Sequence, residues 1–71
     1  MRLKANEIQI PSFKVGTRYV IKNNLGVLNK EDIVEVININ VLGSDINVIL
    51  KNQKGIQETI TLDKNDDIKL I

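Results

Sequence analysis

The chain has 71 residues, enough for one small domain with a thin hydrophobic core. Its ten basic and nine acidic residues are spread along the sequence, so charge indicates neither a nucleic-acid-binding arm nor a membrane-binding surface. Cysteine and histidine are absent, which excludes disulfides, zinc sites with thiolate or imidazole ligands, and catalytic triads built on either residue. No apolar stretch has the length of a signal peptide or a spanning helix, so we expect a cytoplasmic protein.

The N-terminal residues have the least regular pattern. Alternation over Glu7–Ile10 fits a short edge strand that ends at Pro11, because proline cannot donate to a β-ladder. A loose arm that becomes ordered on a partner fits the same residues. We therefore predict residues 1–12 to be an N-terminal arm or edge strand and residues 13–71 to be a small β-barrel domain.

A first firm strand is predicted over Phe13–Lys22, with a kink at Gly16 and Thr17. Turn chemistry follows over Asn23–Gly26, since Asn and Gly tolerate positive φ. The chain then runs through a loop as far as Asp32.

The next strand, Ile33–Leu42, changes the parity of its apolar residues halfway along. Val34 and Val36 alternate with the polar Glu35, and from there the alternation shifts by one residue: the apolar positions are Ile37, Ile39 and Val41, separated by Asn38 and Asn40. A strict period of two cannot change parity without an extra residue. We therefore predict a β-bulge near Val36–Ile37, which bends the strand.

Two tight turns and two further strands complete a meander. A Gly43–Asp45 loop leads into a strand over Ile46–Lys51, and a turn at residues 52–55 leads into a strand over Ile56–Leu62. The polar run Asp63–Asp67 predicts one turn of 3₁₀ helix, and residues 68–71 predict a last short strand. The predicted core consists of the inward-facing residues of these strands: Val15, Tyr19, Ile21, Val34, Val36, Ile37, Ile39, Val41, Ile46, Val48, Leu50, Ile60, Leu62, Ile68 and Leu70.

This order of elements resembles the SH3-like small β-barrel. The similarity rests on the first strand over Phe13–Tyr19, the bent strand that begins at Asp32–Val36, and the turn at Asp63–Asp67. It implies an all-β, single-domain, five- or six-stranded, partly open barrel. Peptide-binding members of this superfold hold proline-rich ligands in an aromatic groove. Phe13 and Tyr19 are the only aromatic residues here, so we do not carry that activity over.

The sequence contains two acidic clusters whose residue types could support metal binding or catalysis. Asp63, Asn65 and Asp67 have the spacing of the first ligands of a calcium loop, but Ile68 stands where that loop needs glycine. Glu31, Asp32 and Glu35 could form an acid–base pair only around a pocket that a filled small barrel does not offer. We therefore expect no metal, no cofactor, no small-molecule substrate and no catalytic site.

The favoured function is a non-catalytic protein-binding module. Aliphatic residues outside the predicted core could form a contact patch for a partner protein or a second copy. The predicted anchors are Leu25, Val27, Leu28 and Ile49. Abundant Ile, Asn and Lys indicate an AT-rich genome, and by analogy with other small β proteins we expect a phage or mobile-element accessory protein that binds and inhibits a host protein.

The alternative is a nucleic-acid-binding barrel. Basic residues on neighbouring strands could form an electrostatic track beside an aromatic stacking platform. The residues that would form it are Lys14, Arg18, Tyr19, Lys22 and Lys51.

Overall fold

The computed structural model describes residues 1–8 and 13–66, which form an all-β domain with almost no helix. A single 3₁₀ turn covers Ala5–Glu7. Four strands follow, β1 (Arg18–Val20), β2 (Ile33–Leu42), β3 (Asp45–Asn52) and β4 (Gln57–Asp63). They form one open antiparallel sheet in the order β1-β2-β3-β4. Among the described residues, no helix is long and apolar enough to cross a membrane.

The predicted bulge in β2 is confirmed. Val36 pairs with Leu50 on β3, but the next paired residues are Asn38 and Ile49, so Ile37 is the extra residue. Because of this insertion, Val34 and Val36 before the bulge share a face of the sheet with Ile39 and Val41 after it. The predicted bounds of this strand, Ile33–Leu42, are also confirmed.

Two short hairpins join the last three strands as the turn residues predict. Gly43 and Ser44 connect β2 to β3, and residues 53–56 connect β3 to β4. Gly43 has φ +61° and Gly55 has φ +82°, values that side-chain-bearing residues rarely adopt. The described part of the polar run after β4 forms a hydrogen-bonded turn, in which the N–H of Asp66 donates to the carbonyl of Asp63 at 3.0 Å.

The N-terminal residues belong to the same core as the sheet. Leu3 and Ile8 are buried in it, and the backbone of residues 1–3 runs parallel to β4 through a bridge between Arg2 and Thr61. The N–H of Leu3 donates to the Thr61 carbonyl at 3.0 Å. The sequence predicts an edge strand over Glu7–Ile10, but Glu7 belongs to the 3₁₀ turn and Ile8 follows directly after it. Residues 9–10 lie outside the described residues.

The core differs from its prediction mainly where the chain lacks regular strands. Eight predicted residues are buried: Ile21, Val34, Val36, Ile46, Val48, Leu50, Ile60 and Leu62. Tyr19 and Ile39 are partly buried against them, and Ile37 is half-buried at the bulge. The prediction is wrong for Val15 and Val41, which are exposed because nothing described packs over them. Ile68 and Leu70 lie outside the described residues.

Five buried residues were not in the predicted core, namely Leu3, Ile8, Phe13, Leu25 and Leu28. All five lie outside the four strands, so strand periodicity carries no information about them. The predicted strand over Phe13–Lys22 is also shorter than expected, because regular pairing covers only Arg18–Val20. Hydrogen bonds from Gly16 and Ile21 extend its ladder by a few residues.

Candidate interaction surface

The sheet has a buried inner face and an open outer face. The inner face carries the side chains of alternate residues that pack into the core, among them Val48 on β3 and Ile60 on β4. The outer face carries the intervening residues, including Ile49 on β3 and Thr59 on β4. Any surface that the sheet offers to a partner must use the outer face or the uncovered ends.

The inner face is covered in part by a tight turn at Leu25–Leu28. The N–H of Leu25 and the N–H of Leu28 each donate to the other's carbonyl at 2.9 Å. Leu25 is 2% exposed and Leu28 is 0% exposed. The expectation that these two leucines form an exposed patch is therefore wrong: they are part of the core.

Glu58 on β4 contacts this turn directly. Its side chain stands on the inner face of β4, as the exception in that strand's apolar pattern, and its carboxylate accepts from the N–H of Val27 at 3.1 Å. Gly26 leaves room for that carboxylate, since a Cβ at this position would lie 1.7 Å from Oε1 of Glu58. The positive φ of Gly26, +58°, also suits a two-residue hairpin turn.

The two remaining predicted anchors lie on opposite sides of the sheet. Val27 is exposed at the tip of the turn over the inner face, whereas Ile49 is half-buried on the outer face. The four anchors therefore do not form one contiguous surface.

Two exposed apolar side chains are adjacent on the outer face, one on β1 and one on β2. Val20 and Ile33 are direct cross-strand partners and are 44% and 50% exposed. Beside them, Arg18 pairs with Glu35 across β1 and β2, and Glu35 pairs with Lys51 across β2 and β3. We call these five residues the outer patch. An open groove of about 410 Å³ is lined by four of them, Arg18, Ile33, Glu35 and Lys51, and also by Gln53.

Electrostatics in the outer patch are balanced rather than uniformly basic. Nε of Arg18 lies 3.4 Å from Oε1 of Glu35, so one carboxylate sits between two cations. Tyr19 packs on the opposite face from Arg18, against the core. Lys22 lies 4.0 Å from Glu31.

For the nucleic-acid hypothesis, the strand register decides the position of three of its five residues. Arg18 and Lys51 share the outer patch, but Tyr19 cannot provide a stacking platform beside them. Lys14 is exposed in the segment before β1.

No family model, curated protein or solved structure matches this chain. Its function must therefore be inferred from its surface.

A polar network borders the outer patch, and sequence analysis did not find it. The carboxylate of Asp32 accepts from the N–H of Asn29 at 2.9 Å, from Nδ2 of Asn52 at 3.2 Å and from Nε2 of Gln53 at 3.4 Å. These hydrogen bonds hold the pKa of Asp32 below its ordinary value, and the one from the backbone of Asn29 has the largest effect. Asn52 is the one buried polar residue among those described, and its Oδ1 also accepts from the N–H of Lys54 and of Ile56, at 2.9 Å each.

The network therefore fixes structure rather than offering a reactive group. It ties the loop before β2 to the β3–β4 hairpin, and Gln53 also accepts from the N–H of Ile33 at 3.1 Å. The signal that could have revealed it is the polar Asn52 at an inward-facing position of β3.

The acidic turn after β4 also has a structural role. Oδ1 of Asp63 accepts from the N–H of Asn65 at 2.9 Å, and Oδ2 of Asp66 accepts from the N–H of Ala5 at 2.8 Å. An open groove of about 610 Å³ lies here, between the N-terminal residues and the turn. Within residues 1–8 and 13–66, no three acidic side chains come together as a metal-binding group, and Asp67 lies outside that part of the chain.

Proposed function

We propose that this chain is a non-catalytic protein-binding module whose partner docks on the outer patch. The observation that carries the proposal is the Val20–Ile33 pair, two large aliphatic side chains that are about half exposed and directly adjacent. Scattered single hydrophobic residues are normal on a protein surface, but adjacent ones beside a groove are typical of contact sites.

The surroundings of this pair resemble the arrangement of known interfaces. Interfaces commonly have an apolar centre and a polar rim, and the rim charges set orientation and association rate more than affinity. Here Arg18, Glu35 and Lys51 form such a rim along one side of the pair. Three charges of mixed sign favour a protein surface over a nucleic-acid backbone, which would repel Glu35.

The biological setting is proposed from the sequence alone. A small, charge-balanced protein encoded by an AT-rich genome fits a cytoplasmic phage or mobile-element accessory protein that inhibits a host protein by covering part of its surface. Inhibition by steric block needs no catalytic group on this chain.

The SH3-like barrel is part of the same proposal. The bent second strand, the two short hairpins and the turn after β4 support it. A closed barrel needs a further strand, which the sequence predicts over residues 68–71. Nuclear Overhauser contacts between those residues and β1 would test this assignment.

The functional test is affinity purification of the tagged full chain from its own cells, with mass spectrometry of the proteins that co-purify. The decisive variant is Val20→Ser with Ile33→Ser, which we expect to release a partner that the unchanged chain retains. Val27→Ser is the control, because it removes an aliphatic side chain of similar exposure on the other side of the sheet. Equal capture by both variants would contradict the proposed docking surface.

The nucleic-acid alternative is tested in the same preparation. It requires binding of labelled single-stranded DNA or RNA that weakens steeply as salt rises and that is lost in the Arg18→Glu, Lys22→Glu double variant. We expect no such binding, since both cations are close to carboxylates.

A further inference from the structure

Beyond its bulge, β2 becomes an edge strand. On the β1 side, the ladder ends where the N–H of Gly16 donates to the Val36 carbonyl at 2.7 Å and the N–H of Val36 donates to the Thr17 carbonyl at 3.0 Å. Within the described part of the chain, Asn38–Leu42 pairs with β3 alone. None of the described residues pairs with the other side of this five-residue segment, which we call the open edge.

Ladder geometry shows which backbone groups face the open edge. The two-residue turn at Gly43–Ser44 closes on the directly opposed pair Leu42 and Asp45, so the N–H and C=O of Leu42 point toward β3. These groups alternate in direction along a strand. The N–H and C=O groups of Ile39 and Val41 therefore point away from β3, in the plane of the sheet, toward the open edge.

The open edge lacks the protection that natural sheets give to their edges. It contains no charged residue and no proline, and Val41 and Leu42 are 48% and 60% exposed. The far edge of the sheet, on β4, is covered by residues 1–3, where the N–H of Thr61 donates to the Met1 carbonyl at 2.7 Å. Among the described residues, the β4 edge is therefore covered and the open edge is not.

The residues of the open edge are self-complementary about Asn40. In an antiparallel pair of two identical edges centred there, Ile39 of one copy would lie opposite Val41 of the other, and each Asn40 would lie opposite its equivalent. The outward N–H and C=O groups of Ile39 and Val41 are then in register to form hydrogen bonds across the axis. No like charges meet, and apolar side chains face apolar side chains on the inner side.

From this register we propose that the open edge binds a second copy of the chain, giving a two-fold dimer in which the two sheets join through their β2 strands. A pair of this kind is closed, because each copy uses the same segment and the β4 edge is covered by residues 1–3. Contact along five residues buries less surface than the ~1,200 Å² of a standard interface, so the dimer is weak. We expect a dissociation constant in the micromolar range or above. This interface is separate from the outer patch.

The test uses charge at position 40 of the full-length chain. Asn40 is exposed, so Asn40→Lys and Asn40→Asp should both fold, which far-ultraviolet circular dichroism verifies. In the dimer each variant places two like charges opposite one another. Sedimentation equilibrium over protein concentrations up to about 1 mM should show the dissociation constant rising at least about tenfold in each variant. An equimolar mixture of the two variants should regain association, and native mass spectrometry should show the mixed dimer as the main species.

The matched control is Thr59→Lys, which adds a charge on the outer face of β4, away from the open edge. It should associate as the unchanged chain does. A chain that stays monomeric at 1 mM would overturn the proposal. So would dimers that persist in both Asn40 variants, a mixture that does not regain association, or growth into larger oligomers with concentration.

Discussion

The two halves of β2 have the same alternating pattern but different surroundings. Before the bulge, Val34 and Val36 are completely buried. After it, Ile39 is only partly buried and Val41 is 48% exposed, although both project from the same face of the sheet. Alternation therefore identifies the face toward which a side chain points, while burial depends on what lies over that face.

The covering residues come from segments without strand periodicity. The Leu25–Leu28 turn, Phe13 and the N-terminal Leu3 and Ile8 supply the second layer of the core, opposite the sheet. The β2–β3 hairpin has apolar side chains near its tip that this layer leaves exposed. One half of β2 therefore contributes to the core, whereas the described residues leave Val41 in the other half 48% exposed.

The largest expected effect is the removal of part of this cover. Leu28→Ala deletes a completely buried side chain and should lower the free energy of unfolding by about 3–5 kcal/mol, through lost burial and the cavity that remains. Denaturant unfolding followed by far-ultraviolet circular dichroism measures this, since the chain has no tryptophan. Val27→Ala, at the adjacent exposed position, should change it by less than about 0.5 kcal/mol. Equal costs would mean that the turn does not cover the core.

A matched pair of substitutions compares the halves of β2 directly. Val36→Ala should lower the free energy of unfolding by about 2–3 kcal/mol, because it removes two buried methyl groups and leaves a cavity. Val41→Ala, on the same strand and the same face, should cost less than about 0.5 kcal/mol because its side chain is half exposed. Both should be measured at low micromolar protein concentration, where a weak dimer is dissociated. A similar cost at both positions would show that the hairpin tip is covered in solution.

Periodicity and turn chemistry predicted the sheet well, and they failed where burial depends on distant segments. The bulge at Ile37 and the bounds of β2 follow from a change of parity that only an inserted residue can produce. Leu25 and Leu28, by contrast, look like exposed loop residues in the sequence. In the structure they pack into the core, and the carboxylate of Glu58, 31 residues after Val27, accepts a hydrogen bond from the backbone of their turn. A local pattern cannot report a contact at that separation.

Local sequence patterns also predict only part of the candidate interaction surface. Val20 and Ile49 project from the outer face, as alternation predicts. The outer patch itself depends on the cross-strand register, which brings Ile33 beside Val20 and aligns Arg18, Glu35 and Lys51 in one row. A loop of twelve residues joins β1 to β2. Because the loop is long, its sequence alone does not predict which residues of the two strands pair.

A smaller effect is expected at the turn that positions the cover. Gly26→Ala would place a Cβ against the carboxylate of Glu58 and force a side-chain-bearing residue to keep φ near +58°. We expect a loss of about 1–2 kcal/mol in the free energy of unfolding. Combining it with Glu58→Ala separates the two causes, since relief of the steric clash alone should make the two costs less than additive. Fully additive costs would show that the backbone conformation accounts for the whole effect.

The smallest expected effect concerns the polar network beside the covered half of β2. Because its hydrogen bonds lower the pKa of Asp32 in the folded chain, the unfolded chain binds a proton to this residue more readily. The stabilisation from Asp32 is therefore fully present above about pH 4, the ordinary carboxylate range, and is lost as the pH falls through the lower folded-state pKa. Asp32→Asn should flatten the fall in unfolding free energy below about pH 4.

Measurement of the unfolding free energy at several acidic pH values tests this expectation, with Asn52→Ala as the companion variant. Asn52→Ala removes one of the three donors to Asp32, so it should flatten the same part of the pH profile to a smaller extent than Asp32→Asn does. It should also lower stability at neutral pH, because the N–H groups of Lys54 and Ile56 lose their acceptor. An acid profile unchanged in Asp32→Asn would mean that this carboxylate does not hold the loop to the hairpin in solution.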